Sequence, residues 1–144
     1  MEKSTSNVIL YIIDKLGGSI EGRKKLMKLM FLIEHWDPVK GLTREGPLKN
    51  EFIIYYYGVF SFEVMENFIK LVQEGKIEDG FPIKLKNKIE IKINDEKLKE
   101  KVDKVLEQFK NKSGYELEIE TLKMLKIQPF EKNKYFGKSI REII

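Results

Sequence analysis

The 144-residue sequence has no cysteine, no alanine and a single histidine. Without cysteine, a disulfide, a thiolate nucleophile and a zinc-finger site are all excluded. One histidine excludes a metal site built from several imidazoles. No apolar run has the roughly 20 residues that a bilayer requires, and the opening MEKSTSN has no signal-peptide pattern. We therefore expect a cytoplasmic protein with no cofactor and no membrane contact, long enough to bury a core without covalent cross-links.

Lysine and isoleucine are abundant and arginine is rare, a usage typical of low-GC genomes. Abundant Lys and Glu also suit a thermophile. The formal charge is +4, and it is unevenly placed. Residues 1–74 carry ten basic and ten acidic side chains, whereas residues 75–144 carry 17 and 13. This excess is compatible with nucleic-acid binding, and a solvated lysine-rich surface also explains it.

Hydrophobic periodicity predicts an α+β, mostly helical fold with a small antiparallel sheet. The expected helices are Asn7–Leu16, Glu21–His35, Ser61–Gly75, Asp95–Lys110, Tyr115–Ile127 and a last turn, Ser139–Ile144. The run Phe52–Tyr57 predicts a strand that is at least partly covered on both faces, and Gly58 to Phe60 predict a turn. We expect residues 1–94 to form a winged-helix-like domain and residues 95–144 to add C-terminal helices on the same core, so that the chain is a single domain overall.

A basic hairpin is predicted over Ile83–Ile93. Its apolar residues share one face only if a three-residue loop pairs Leu85 with Ile89 and Lys84 with Glu90. The outer face and tip would then carry Lys84, Lys86, Lys88 and Lys92.

A second basic cluster lies in the first half of the second helix, at Arg23, Lys24, Lys25 and Lys28. The helix dipole disfavours cations there, so the cluster is a candidate contact for an anionic partner. Lysine stems lying along a buried helix are the alternative. The candidate nucleic-acid-binding set is Arg23, Lys24, Lys25, Lys28, Lys84, Lys86, Lys88 and Lys92.

The aromatic segment 52–60, the helix that follows it and the mobile loop Val39–Asn50 supply the candidate protein contacts. Three adjacent tyrosines suggest base stacking, although ordinary strand packing is the simpler interpretation. Ser61 is a suitable N-cap for the helix that follows, and Asp95 is a suitable cap for the long helix to Lys110. The exposed face of that helix is mainly acidic, which disfavours reading of the major groove. The candidate protein-interaction residues are Tyr55, Tyr57, Glu63, Glu66 and Lys70.

Catalytic chemistry has little support. His35 is isolated in sequence, and Glu116 with Glu120 suits an acidic first helical turn better than a metal or acid–base pair. No glycine-rich phosphate loop is present. We therefore predict no enzyme, no catalytic residue and no metal site. The narrow apolar stripe of the helix after Asp95 offers a possible homodimer contact.

The segments GRKKLMKLMFLIEH and FIIYYYGVFSFEVMENFIKLVQEGKI resemble uncharacterised bacterial and archaeal proteins of the YwgA type. That family has a Lys-Leu-x-Lys-Leu helix, present here from Lys25, and a Tyr-Gly-Pro-Tyr-Ser turn, in which this chain has Val59 at the proline position. The chain is more distantly similar to the Panacea domains of SocA-like antitoxins. The resemblance covers residues 8–93 and implies a winged-helix-like regulatory or interaction domain without catalytic residues.

Two functions follow as expectations. The first is a DNA-binding transcriptional regulator that contacts the backbone of double-stranded DNA through the two lysine clusters. The alternative is a protein-interaction module, antitoxin-like or a phage-associated adaptor, without DNA binding. Basic clusters on one face of the fold would favour the first.

Overall fold

The computed structural model of the chain describes residues 2–88 and 90–144, with side chains from Thr5 onward. The helices are α1 (Glu2–Lys15), α2 (Arg23–His35), α3 (Phe62–Gln73), α4 (Glu96–Phe109), α5 (Gly114–Met124), a 3-10 turn (Pro129–Glu131), α6 (Lys132–Tyr135) and α7 (Ile140–Ile143). The strands are β1 (Ser19–Ile20), β2 (Trp36–Asp37), β3 (Gly41–Leu42), β4 (Ile53–Tyr55), β5 (Gly58–Phe60), β6 (Ile77–Glu78) and β7 (Ile83–Leu85). The α+β, mostly helical class is confirmed.

Side-chain caps set where three of the helices begin. The Ser61 hydroxyl accepts the Val64 amide of α3 at 3.2 Å, and Asp95 accepts the first free amides of α4. Ser113 and Glu116 form a reciprocal capping box at the start of α5. These bonds satisfy amides that have no partner within the helix. The hydrogen bonds to Ser113 lower the pKa of the Glu116 carboxyl.

Helix α2 lies at the centre of the molecule. Every residue from Leu26 to His35 is buried, and α2 packs against α3, α4 and α5. Buried side chains from Val8 to Ile140 form one continuous core, to which residues on both sides of position 95 contribute. The apolar stripe of α4 belongs to that core, with Val102 and Phe109 at most 2% exposed. It is therefore covered by the protein itself and is not the free homodimer contact that the sequence suggested.

The predicted basic hairpin is wrong in its register. Strand β7 lies between β1 and β6, both antiparallel to it, so Lys84 is opposite Ser19 on one side and Glu78 on the other. Both edges of β7 are occupied, which excludes pairing of Lys84 with Glu90. The predicted partner of Leu85, Ile89, lies outside the described residues. The true hairpin connects β6 to β7 through residues 79–82.

The segment 52–60 was also predicted incorrectly. It is a two-stranded hairpin in which Tyr55 of β4 is opposite Gly58 of β5, and Tyr56-Tyr57 form its turn. Gly58 has a φ of 92°, which a residue with a Cβ adopts only with strain. Residues 136–140 run along the other edge of β4 and are hydrogen-bonded to Phe52 and Ile54.

Candidate interaction surfaces

The basic residues at the start of α2 are held by partners within the protein. Arg23 forms an ion pair with Asp79, and its guanidinium lies over the Phe68 ring. Lys24 Nζ lies 2.8 Å from Glu118, and Lys25 Nζ donates to the Lys110 carbonyl at 2.6 Å. The neutralising contacts lower the capacity of this cluster to bind phosphate.

Lys28 is enclosed in the core. Its side chain is 2% exposed, and its Nζ donates to the Val59 carbonyl at 2.9 Å. Burial lowers the pKa of Lys28 to about 7, Glu118 acts to raise it, and Lys24 and Lys132 act to lower it further. Lys28 is therefore a structural link between α2 and β5, out of reach of an external anion.

The lysines after β6 have a different environment. Lys84, Lys86, Lys88 and Lys92 are all exposed. Only Lys92 forms an ion pair among the residues that the structure describes, a 4.0 Å contact with Glu90. The eight basic residues predicted to bind nucleic acid thus fall into two groups. The group after β6, Lys84, Lys86, Lys88 and Lys92, is open to solvent. The group on α2 is held by contacts within the fold.

An aromatic surface surrounds the β4–β5 hairpin. We use this name for Tyr55, Tyr56, Tyr57, Phe60, Phe62 and Phe136. The Tyr55 ring lies between Phe60, at a centroid distance of 5.0 Å, and Phe136, at 5.2 Å, with both pairs stacked. Phe62 meets both Tyr55 and Phe60 edge-on, which is a favoured geometry for aromatic pairs.

Much of this surface is in contact with solvent. Tyr56 and Tyr57 are each 64% exposed, Phe62 is 54% exposed and Phe136 is 43% exposed. The expectation that both faces of this segment are covered is therefore wrong for Tyr56 and Tyr57, because they form a turn. Phe60 and Phe62 lie in predicted contact segments but were not named individually, and Phe136 was not predicted as a contact residue. Gly58, which follows Tyr56 and Tyr57, is the sequence signal that would have placed these two tyrosines in a turn at the surface.

Exposed carboxylates border the aromatic surface on the α3 side. Glu63, next to Phe62, accepts the Glu51 backbone amide, and Glu63 and Glu66 are both exposed. Lys70 is exposed one turn further along α3. Of the predicted protein-interaction residues, the structure thus places Tyr55, Glu63 and Glu66 around Phe62, whereas the Tyr57 ring lies near Lys24 and Lys70 lies further along α3.

Two further buried ionisable groups have structural partners. The Glu34 carboxylate is 1% exposed and accepts the amides of Leu48, Lys49 and Asn50 at 2.9–3.0 Å. Burial raises the pKa of Glu34 despite these bonds. His35 is 2% exposed, its Nδ1 lies 2.9 Å from the Thr43 carbonyl oxygen, and burial lowers its pKa. Both residues fix the loop after β3 to the end of α2.

Two small clefts have volumes of about 70 and 110 Å³. Both are below the roughly 300 Å³ of a typical small-molecule site. In the described part of the chain, no three Asp, Glu or His side chains are grouped as metal ligands would be. None of the described helices combines the length and the apolar character needed to span a bilayer. Comparison with family models, with curated proteins and with solved structures finds no match for the chain.

Proposed function

We propose that the protein is a non-enzymatic interaction module that binds a partner protein through the aromatic surface. The observation that carries this proposal is the contiguous set of rings around Tyr55, three of which, Tyr56, Phe62 and Phe136, are exposed by 43–64%, with the equally exposed Tyr57 next to Tyr56 in the same turn. Contiguous exposed apolar surface of this kind marks interaction sites in proteins that are otherwise well packed. An antitoxin-like protein or a phage-associated adaptor would act in this way.

Aromatic side chains suit this role energetically. Each ring buries a large area for the loss of few rotatable bonds, and Tyr and Trp are enriched among the residues that dominate binding energy. The rings of Tyr55, Tyr56, Phe60, Phe62 and Phe136 already pack on one another, and the Lys24 ammonium lies 4.6 Å from the Tyr57 ring centroid, so less conformational freedom remains to be lost on binding. This preorganisation favours affinity.

The bordering charges specify the partner further. Glu63 and Glu66 are exposed beside Phe62, whereas Lys24 and Lys132, which contact Tyr57 and Tyr56, share the carboxylate of Glu118. We infer that the partner presents apolar side chains to the rings and Lys or Arg to the α3 carboxylates. Its association rate should fall as ionic strength rises, because rim charges act mainly on the encounter step.

Selection from a displayed library of random 12-residue peptides tests this function, because it does not require the partner to be identified first. Selection on the immobilised full-length protein should enrich peptides that combine aromatic or aliphatic residues with Lys or Arg. Synthesised peptides should lose at least tenfold in affinity for the Tyr57→Ala protein. They should bind the Tyr115→Ala protein normally, because Tyr115 is as exposed, at 66%, but belongs to α5. Absence of enrichment, or equal affinity for both variants, would contradict the proposal.

The second candidate is binding of duplex DNA through Lys84, Lys86 and Lys88. One observation favours it: Lys84, Lys86 and Lys88 are exposed and form no ion pair among the described residues. The order α1, β1, α2, α3, β6 and β7, with β1 and β6 on either side of β7, supports a winged-helix interpretation. Glu63, Glu66 and Glu74 on α3 oppose insertion of that helix into a groove.

Fluorescence anisotropy with random duplex DNA over a salt series tests this candidate. Binding through these lysines should be micromolar, fall steeply with salt, and disappear when Lys84, Lys86 and Lys88 are all changed to Glu. The variant with Lys97, Lys104 and Lys110 changed to Glu is the control of equal charge. No binding at 50 mM salt would exclude the candidate.

A further inference from the structure

The C-terminal tail, residues 136–144, is attached to the molecule in an unusual way. Its backbone extends the β4–β5 hairpin: the Ile54 amide donates to Lys138 at 3.1 Å, and the amides of Gly137 and Ile140 donate to Ile54 and Phe52 at 2.7 and 2.9 Å. The tail therefore occupies the strand edge of β4 that β5 leaves open. An uncovered edge of this kind would accept a strand from another chain.

Two side chains anchor the tail. Phe136 stacks on Tyr55 and meets Tyr56 edge-on at 5.1 Å, which makes it part of the aromatic surface. Ile140, four positions later, is fully buried in the core. The edge of β4 thus has a binding position for an aromatic side chain. It also has one for a branched aliphatic side chain four residues later in the tail.

The connection between the tail and the rest of the fold is weakly held. Neither the 3-10 turn nor α6 contains a buried residue, and Phe130 within it is 81% exposed. Lys132 donates to the Tyr56 carbonyl at 2.7 Å and lies 3.8 Å from the Glu118 carboxylate, and Tyr135 packs against the core while only partly buried. Segments with few buried contacts open locally at lower free energy than the core. Residues 128–135 can therefore release the tail while α2, α4 and α5 stay packed.

We propose that the tail is a displaceable occupant of the β4 edge, and that the partner protein inserts a segment of the same backbone shape in its place. This segment carries an aromatic residue, a glycine directly after it that adopts the positive φ of Gly137, and Ile or Val four positions after the aromatic residue, so that it reproduces the contacts of Phe136 and Ile140. Binding is then by strand addition, in which backbone hydrogen bonds supply affinity and the two side-chain binding positions supply specificity. This inference rests on the proposed interaction function and names the class of ligand.

The tail itself supplies the probe. A fluorescent peptide of residues 134–144, KYFGKSIREII, should bind the full-length protein carrying Phe136→Ala and Ile140→Ala with micromolar affinity. Wild-type protein should bind it at least tenfold more weakly, because the attached tail competes at a millimolar effective concentration. The same peptide with Phe136→Ala and Ile140→Ala is the control and should bind neither protein. Equal or absent binding of the native peptide to both proteins would overturn the proposal.

Hydrogen exchange on the wild-type protein provides a test that does not depend on the variant's folding. The amides of Gly137, Ile140 and Ile54 should exchange at least tenfold faster than the core amides of α2, with other conditions equal. Exchange of these three amides only together with α2 would overturn the proposal. A wild-type dimer that dissociates on dilution and is lost in the tail variant would also overturn it, since the occupant would then be a second copy's tail.

The two proposals fail separately. Tyr57→Ala removes a ring that forms no aromatic pair with Phe136, so it should weaken binding of library peptides at least tenfold and leave binding of the tail peptide unchanged. Library peptides that require Tyr57 while the tail peptide binds neither protein would overturn strand addition and leave the interaction function in place.

Discussion

Lys28 shows how a single buried cation makes stability depend on pH. Burial lowers its pKa from 10.5 to about 7, so between these values the unfolded chain binds a proton that the folded chain does not. Stability therefore rises with pH over this window. From pH 7 to pH 9, this residue should add about 2 kcal/mol to the free energy of unfolding.

We expect Lys28→Met to remove that increase, as measured by urea unfolding at pH 7, 8 and 9. Lys25→Met is the matched control, since Lys25 lies one turn away and only partly buried. Lys101, whose pKa is also lowered by burial, contributes equally in both variants. An unchanged slope for Lys28→Met would show that Lys28 stays protonated in the folded protein.

Glu34 is the second residue whose role the structure reveals. Its two carboxylate oxygens accept three backbone amides of the loop at Leu48, Lys49 and Asn50. Glu34→Gln replaces one oxygen by an amino group that faces a donor. Stability should fall by about 2–3 kcal/mol, the value of hydrogen bonds to a charged group. Denaturant unfolding measures it, and the exposed Glu45→Gln should change stability by less than about 0.5 kcal/mol.

At the scale of elements, helix limits were predictable from local chemistry. Ser61 and Asp95 were predicted as caps and are caps, because the bond from a side-chain oxygen to a nearby amide depends only on neighbouring residues. The hairpin register was not predictable in this way. The residues that flank Lys84, Ser19 and Glu78, are distant from one another in sequence, so the local alternation of residues 83–93 did not indicate them.

The prediction for the aromatic segment 52–60 was wrong for a related reason. Phe52–Tyr57 has the composition of one strand, and the turn at Tyr56-Tyr57 depends on Gly58 adopting a positive φ. Phe136 contacts Tyr55 because the tail runs along β4, and no local sequence pattern predicts that long-range contact. The basic cluster of α2 was found in the sequence, yet its neutralisation by Asp79 and Glu118 required the tertiary structure.

The Ser61 cap leads to a prediction for α3. Ser61 is fully buried, so water cannot take the place of its hydroxyl as the hydrogen-bond acceptor of the Val64 amide when Ser61 is replaced. Ser61→Ala should lower the free energy of unfolding by about 1–2 kcal/mol. Thermal and urea unfolding measure the change. Ser19→Ala, in a partly exposed position on β1, is the control and should have little effect.

At the scale of the whole molecule, the single core predicts that residues 1–94 do not fold alone. Buried residues of α2 pack against α4 and α5, both of which lie beyond position 94. A fragment of residues 1–94 would expose this face of α2 to water. We expect it to show no cooperative unfolding transition by circular dichroism. A cooperative transition would show that the first part is an independent domain.

We propose that a partner protein binds at the aromatic surface. Site-specific photo-crosslinking in the native host tests it most directly, with a benzophenone side chain at Tyr56 or at Tyr115. These residues are exposed to nearly the same extent, 64% and 66%, on different elements. We expect a discrete crosslinked protein adduct from position 56 and none from position 115. No adduct from position 56, or the same adducts from both positions, would contradict it.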